Sequence, residues 1–181
     1  MTEGTAEFLI RPARESDLDV IAGFEIDIAR ASFGDEAIED AALHRRRVAG
    51  ALGKPGEVTL VAVAGEGGMG RRAGDGGDGA PVGWAWLSGR TNSLTGARYG
   101  NFRSLATADV PGRGTVGELL MAAVVAAAAQ AGYTHLTGKT HARNLGMRAL
   151  YRKFGFEATH LTMEWRPGAT AEGAGGGEAG R

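Results

Sequence analysis

Short apolar runs bounded by glycine and proline alternate with stretches of helical spacing along this chain. Residues 7–11 (EFLIR) predict a strand that Pro12 ends. Ser16 or Asp17 can cap a helix reaching about residue 31, because a short oxygen-bearing side chain satisfies the first free backbone N–H groups. Residues 36–52 read as a second helical stretch carrying Arg45, Arg46 and Arg47, and Gly53, Pro55 and Gly56 stop it. Residues 58–64 (VTLVAVA) are rich in β-branched side chains and predict a strand, as do residues 82–87 (VGWAWL). The latter finds a hairpin partner in residues 100–107, with 88–98 as the turn.

Beyond residue 107 the rhythm changes. Residues 115–131 (TVGELLMAAVVAAAAQA) are apolar almost all round, as suits a helix laid against a sheet, and Gly132 ends them. Residues 133–140 predict a strand. Residues 144–154 predict a helix whose stripe Met147, Leu150, Tyr151 and Phe154 keeps i, i+3, i+4, i+7 spacing. Gly155 stands where a left-handed helix cap belongs, and residues 160–166 (HLTMEWR) read as a final strand. The order is β-α-α-β-β-β-α-β-α-β. Its first strands are antiparallel candidates, and the strand–helix–strand passage over 101–140 requires a parallel pair. The expected class is a mixed α/β (α+β) domain.

Composition narrows the choice. The chain has 181 residues, 31 of them glycine, a net charge of −1 and no cysteine. Fourteen of those glycines fall in residues 64–80 and 167–181, tracts almost without large apolar side chains. They cannot bury enough surface to offset the entropy of ordering. The expected division is therefore one domain over 1–166 with a flexible insertion at 64–80, followed by a disordered tail at 167–181. Without cysteine there is no disulfide, thiolate zinc site or thiol nucleophile. The four histidines show no metal-ligand spacing, so no metal is expected. Near-zero charge excludes bulk electrostatic binding to nucleic acid. No 18-residue apolar run and no basic-then-apolar leader are present, so no membrane partner and a cytoplasmic location are expected.

Candidate chemistry starts at residues 111–117 (PGRGTVG), which follow a strand and open a helix. Closely spaced glycines let the backbone approach an anion, and a helix start supplies unpaired N–H groups and partial positive charge. A phosphate or pyrophosphate is the expected guest. Gly112, Gly114 and Gly117 also fit G-x-G-x-x-G, but three or four strands precede them and no acid follows about 20 residues on, where Lys139, Thr140 and His141 stand. Glu118 occupies the place a Walker lysine would need.

Residues 144–156 (NLGMRALYRKFGF), about 30 residues after the glycine turn, decide between these readings. Together with that turn they resemble the GNAT superfamily of acetyl-CoA-dependent N-acyltransferases. In that family a Q/R-x-x-G-x-G/A turn holds the coenzyme A pyrophosphate. A later helix there carries Asn, then Tyr seven residues on, then Gly-Phe. Asn144, Tyr151, Gly155 and Phe156 keep that spacing, and the opening IRPARESDLDVI looks like the family's first strand and helix. The match departs in placing Pro111 where Gln or Arg is usual, Val116 at the second small position, and Met147 for a common Ala.

The resemblance implies a GNAT-like fold, a mostly antiparallel sheet with a central parallel pair and helices on both faces. It implies acetyl-CoA as cosubstrate and acetyl transfer to a primary amine by direct attack, the acceptor being a small molecule or a protein amine. A homodimer is compatible with it. Leu105, Ala106 and Thr107 would bond the pantetheine arm like an added strand. The amides of Arg113, Gly114, Thr115, Val116 and Gly117 would hold the pyrophosphate, and Asn144 would bond the coenzyme near its thiol end. Tyr151 would protonate the leaving thiolate, a phenol of pKa about 10 serving a thiol of about 8.5. For the general base, Glu25 projects between Ile21 and Leu18 inside the apolar arc of the first helix. A carboxylate there faces a cleft, escapes to solvent at the arc's edge or pairs with an arginine, since burial alone is costly. Asp27 points to the polar side and Asp109 ends the central strand; both rank behind Glu25. Two alternatives stay open: a dinucleotide-binding oxidoreductase and a non-catalytic coenzyme A-binding module.

Overall fold

The computed structural model describes residues 8–65, 79–160, 162 and 167. Five strands form one sheet in the order β1-β2-β3-β4-β5. They are β1 (Phe8–Pro12), β2 (Glu57–Ala64), β3 (Pro81–Thr91), β4 (Arg98–Thr107) and β5 (Leu136–Gly138). The first four pair antiparallel and β4 pairs β5 parallel, as the passage through the intervening helix demands. The expected mixed α/β class is thus the observed one. The expected strand over 160–166 and nearly all of the two glycine tracts lie outside the described residues.

Helices cover both faces. On one face α1 (Leu18–Phe33) and α2 (Ala41–Ala49) bury Leu18, Ile21, Phe24 and Val48 against Val61, Val63, Trp84 and Trp86. On the other, α3 (Arg113–Gln130) packs Val116, Leu120, Met121 and Val124 on Ala62, Ala85, Leu87 and Phe102. α4 (Leu145–Lys153) lays Met147, Leu150 and Tyr151 over the same layer. Alternation along β3 sends Trp84 and Trp86 to the first face and Ala85 and Leu87 to the second, so the strand is buried on both sides.

Three expectations shift for physical reasons. α2 begins at Ala41 and not near residue 36, because the Asp40 carboxylate accepts from the Ala42 and Leu43 amides and caps it there. Gly34, at φ 57°, has already ended α1. α3 is buried along one stripe only; its outer face carries Ala122, Ala126 and Ala129, which serve helix propensity and not burial, beside an exposed Leu119. Asp17 stands before α1 as expected, yet its carboxylate does not cap the helix. It takes a bidentate pair from the Arg11 guanidinium, 2.7 and 2.9 Å, and the Arg14 amide at 2.8 Å. Burial raises the Asp17 pKa, but these bonds and cations outweigh it and hold the group below its usual 3.8.

Candidate active site

The ladder between β4 and β5 is short. It joins residues 100–102 to residues 136–138 and goes no further. Past it the two strands part, and the β5 side of residues 103–107 faces a cavity of about 240 Å³. The cavity is closed by Asp27, Ile28, Ala31 and Ser32 of α1 on one side. Lys139, Thr140, Asn144, Met147 and Tyr151 close the other. An unpaired strand edge within a fold is an invitation to an extended ligand, because its amides and carbonyls otherwise meet only water.

Leu105, Ala106 and Thr107 lie on this edge and line the cavity. The chain then turns at Gly112, which at φ 82° adopts the left-handed conformation that glycine tolerates best, and starts α3. Asp109 is spent on the Arg113 side chain at 3.1 Å. The Arg113 amide bonds to Val110 O at 3.1 Å and the Val116 amide to Gly112 O at 3.1 Å. Between them, the amides of Gly114 and Thr115 meet no acceptor among the described residues. A Cβ built on Gly114 would touch nothing within 4 Å, so the approach to these amides is open. Arg113 to Gly117 do not line the cavity. A Cβ on Gly117 would stand 3.9 Å from Thr107, so the helix start abuts the end of the strand edge.

Asn144 lines the cavity and is the N-cap of α4. Its carboxamide oxygen accepts from the Met147 amide at 2.9 Å, leaving the NH2 group to donate elsewhere. Tyr151 comes from the apolar stripe of α4, edge-on to Phe102 at 6.1 Å between ring centroids and 4.8 Å from the Phe156 ring. Its hydroxyl approaches the backbone at Gly138 so closely that any Cβ there would collide with it. Burial pushes the Tyr151 phenol up to about 12, so the group is protonated throughout the neutral range.

Glu25 sits apart from this group. It is 3% exposed, and both of its oxygens are engaged: one accepts from the Trp84 indole N–H at 2.9 Å, the other pairs with Arg47. Trp84 is fully buried and its N–H needs an acceptor. Glu25 does not line the cavity, whereas Asp27, two residues on, does. A second indole repeats the arrangement, Trp86 donating to Glu57 at 2.7 Å with Ser88 on the same oxygen at 2.5 Å. Arg103, Ser104, Lys139 and Thr140 line the cavity and were not anticipated as site residues. Strand alternation from Trp86 would have found Ser104, which it faces, but nothing in the sequence announces Arg103. Among the described residues, no group of three His, Asp or Glu side chains gathers in a metal-holding cluster. No described helix is long and apolar enough to cross a membrane.

A strand edge opened beside a parallel neighbour and leading into uncapped amides offers a seat to an extended ligand that ends in an anion. The sequence model described as "Acetyltransferase (GNAT) domain" matches residues 7–157, and the chain belongs to that family. Solved structures agree on the fold. An aminoglycoside N-acetyltransferase, AAC(6′)-Iy, in complex with CoA superposes with a TM-score of 0.67 at 17% identity, covering 93% of this chain and 100% of that one. A transcriptional regulator from Bacillus halodurans gives 0.68 at 17% identity over 88% of this chain and 99% of its own. An acetyltransferase from Trypanosoma brucei gives 0.62 at 19%, over 88% and 99%. By sequence, no curated protein matches the chain. The dinucleotide reading of Gly112, Gly114 and Gly117 gains no support: their helix follows the fourth strand of a largely antiparallel sheet, outside any first βαβ unit.

Proposed function

We propose that this chain transfers an acetyl group from acetyl-CoA to a primary amine by direct attack. The observation that carries the reading is the free edge at residues 103–107, which runs from Tyr151 and Asn144 toward the open amides of Gly114 and Thr115. A pantetheine arm laid along Leu105, Ala106 and Thr107 would complete the strand. Its pyrophosphate would then reach the α3 start, where Arg113 to Gly117 supply amides and partial positive charge. The Asn144 NH2 group would bond the coenzyme near its sulfur.

In the chemical step a neutral amine attacks the thioester carbon and forms the new C–N bond. The nitrogen gives up a proton, the C–S bond breaks, and the sulfur receives a proton. Tyr151 is the donor for that sulfur: a phenol held protonated by burial can give a proton or a hydrogen bond but cannot act as a base near neutrality. Two carboxylates of α1 are candidates to take the amine proton. Asp27 reaches the cavity directly. Glu25 needs a water or a movement of Arg47, since Trp84 and Arg47 occupy its oxygens. A pH–rate profile of Glu25→Gln beside Asp27→Asn assigns the role to whichever loses the acid limb.

The CoA complex of the aminoglycoside N-acetyltransferase supports a small-molecule amine acceptor on this fold. A panel of amines with acetyl-CoA and thiol detection tests the whole reading. Amine-dependent release of free thiol is expected; its absence across amino acids, simple amines and aminoglycosides would sink it.

A further inference from the structure

We propose that the acceptor amine also bears an anionic group, a carboxylate or a phosphate, and that Arg103 docks it. This rests on the acetyl-transfer reading above. The β3–β4 register passes from Trp86↔Ser104 to Leu87↔Phe102, so Arg103 is the extra residue of a bulge. A bulge re-aims a side chain. Here it lays the Arg103 guanidinium over the Trp86 ring at 4.3 Å, on the α1–α2 face, while Arg47 lies over the same ring at 5.5 Å.

Two guanidinium groups on one indole repel each other unless an anion lies between them or beside them. The nearby carboxylates are already committed: Glu25 to Trp84 and Arg47, Glu57 to Trp86 and Ser88. Arg103 has no ion-pair partner among the described residues, and it lines the cavity. Burial lowers its pKa, as do the charges of Arg47 and Arg90; Glu57 and Glu25 oppose this without cancelling it. Among cavity-lining charges Arg103 and Lys139 face a single acid, Asp27, which is 70% exposed and already 3.8 Å from Arg30.

The coenzyme's own phosphates do not account for Arg103. It stands four residues before Thr107, roughly 13 Å up the strand from the end that leads to the α3 amides. Across the cavity from it stand the α1 residues Asp27, Ile28, Ala31 and Ser32, and Arg47 of α2 shares its indole. A polycationic acceptor would meet repulsion here, and an amino acid or an aminoalkyl phosphate would meet a charge-assisted fork.

The test uses the full chain, acetyl-CoA and matched amines: α-amino acids against their carboxamides, O-phosphoethanolamine against ethanolamine, and kanamycin as a polycation. The anionic member of a pair is expected to have the lower KM, and the pair that responds tells carboxylate from phosphate. Arg103→Met keeps an unbranched side chain on Trp86 and removes the charge. It should raise the KM of that anionic amine about 10- to 100-fold, the cost of a lost charge-assisted hydrogen bond, with the acetyl-CoA KM unmoved. Equal turnover of charged and neutral partners, preference for kanamycin, or an Arg103→Met enzyme of unchanged KM would overturn the inference while leaving acetyl transfer standing. Failure of every class of amine to release thiol would overturn both.

Discussion

The proton-donor role proposed for Tyr151 falls on a side chain that also packs the core. Its ring belongs to the α4 stripe that covers Phe102, and its hydroxyl stands at the cavity over Gly138. Tyr151→Phe keeps the packing and removes the proton. Turnover is expected to fall roughly 10²-fold with acetyl-CoA KM unchanged, read by steady-state thiol release. With the phenol at about 12, the wild-type pH–rate profile should show no alkaline limb from this group below pH 10; such a limb lost in Tyr151→Phe would contradict the burial argument. Asn144 and Tyr151 were legible because their spacing and the helix that carries them are both written in the sequence. Arg103 was not, because a bulge is a property of two strands in register and neither strand shows it alone. Glu25 was legible as a carboxylate in an apolar arc, but its partners come from 22 and 59 residues away.

At the scale of elements, the glycine turn divides into residues with different duties. Gly112 must hold φ 82°, and a Cβ there would come within 3.1 Å of the Phe8 ring. Gly112→Ala is therefore expected to cost about 1–2 kcal/mol of stability, measured by denaturant unfolding. Gly114 lies in the first turn of α3 with free space around it, so Gly114→Ala should leave stability intact or slightly improved. Its effect should appear only as a raised acetyl-CoA KM, which separates crowding of the pyrophosphate from damage to the fold.

The same scale holds the clamp that joins β1 to the start of α1. The Arg11 and Asp17 side chains are only 9% and 5% exposed, so removing the Asp17 carboxylate takes a bidentate acceptor from a buried guanidinium. Asp17→Ala should cost about 3 kcal/mol at neutral pH. Because the folded-state pKa of Asp17 lies below 3.8, its contribution is present above that value and drains away as pH falls through the folded one. The stability gap between wild type and Asp17→Ala should then close in the acid range; a gap constant from pH 7 to pH 3 would mean the pair acts by packing alone. Helix starts at this scale were less legible than strands. Asp40 caps α2 by geometry that a run of charged residues around it conceals, and Asp17 surrenders its cap to Arg11.

Across the described residues, the sheet pairs continuously over its antiparallel strands and opens where β5 leaves β4. Each β3 residue from Trp84 to Leu87 is buried from both faces, while β5 pairs over three residues and α4 buries none of its side chains completely. A ligand lying along residues 103–107 would join these two parts, so binding should stabilise the fold as one unit. At acetyl-CoA one hundred times its dissociation constant the gain is about 2.7 kcal/mol. For a domain of this size that corresponds to a rise in Tm of roughly 5–10 °C. NAD, whose adenosine diphosphate could also present a pyrophosphate to Gly114 and Thr115, lacks the extended amide-bearing arm that the free edge would pair. Its shift should be small. Equal shifts for both ligands would mean that the α3 start alone binds and that the strand edge takes no part, and the case for a pantetheine-filled cleft would fall with it.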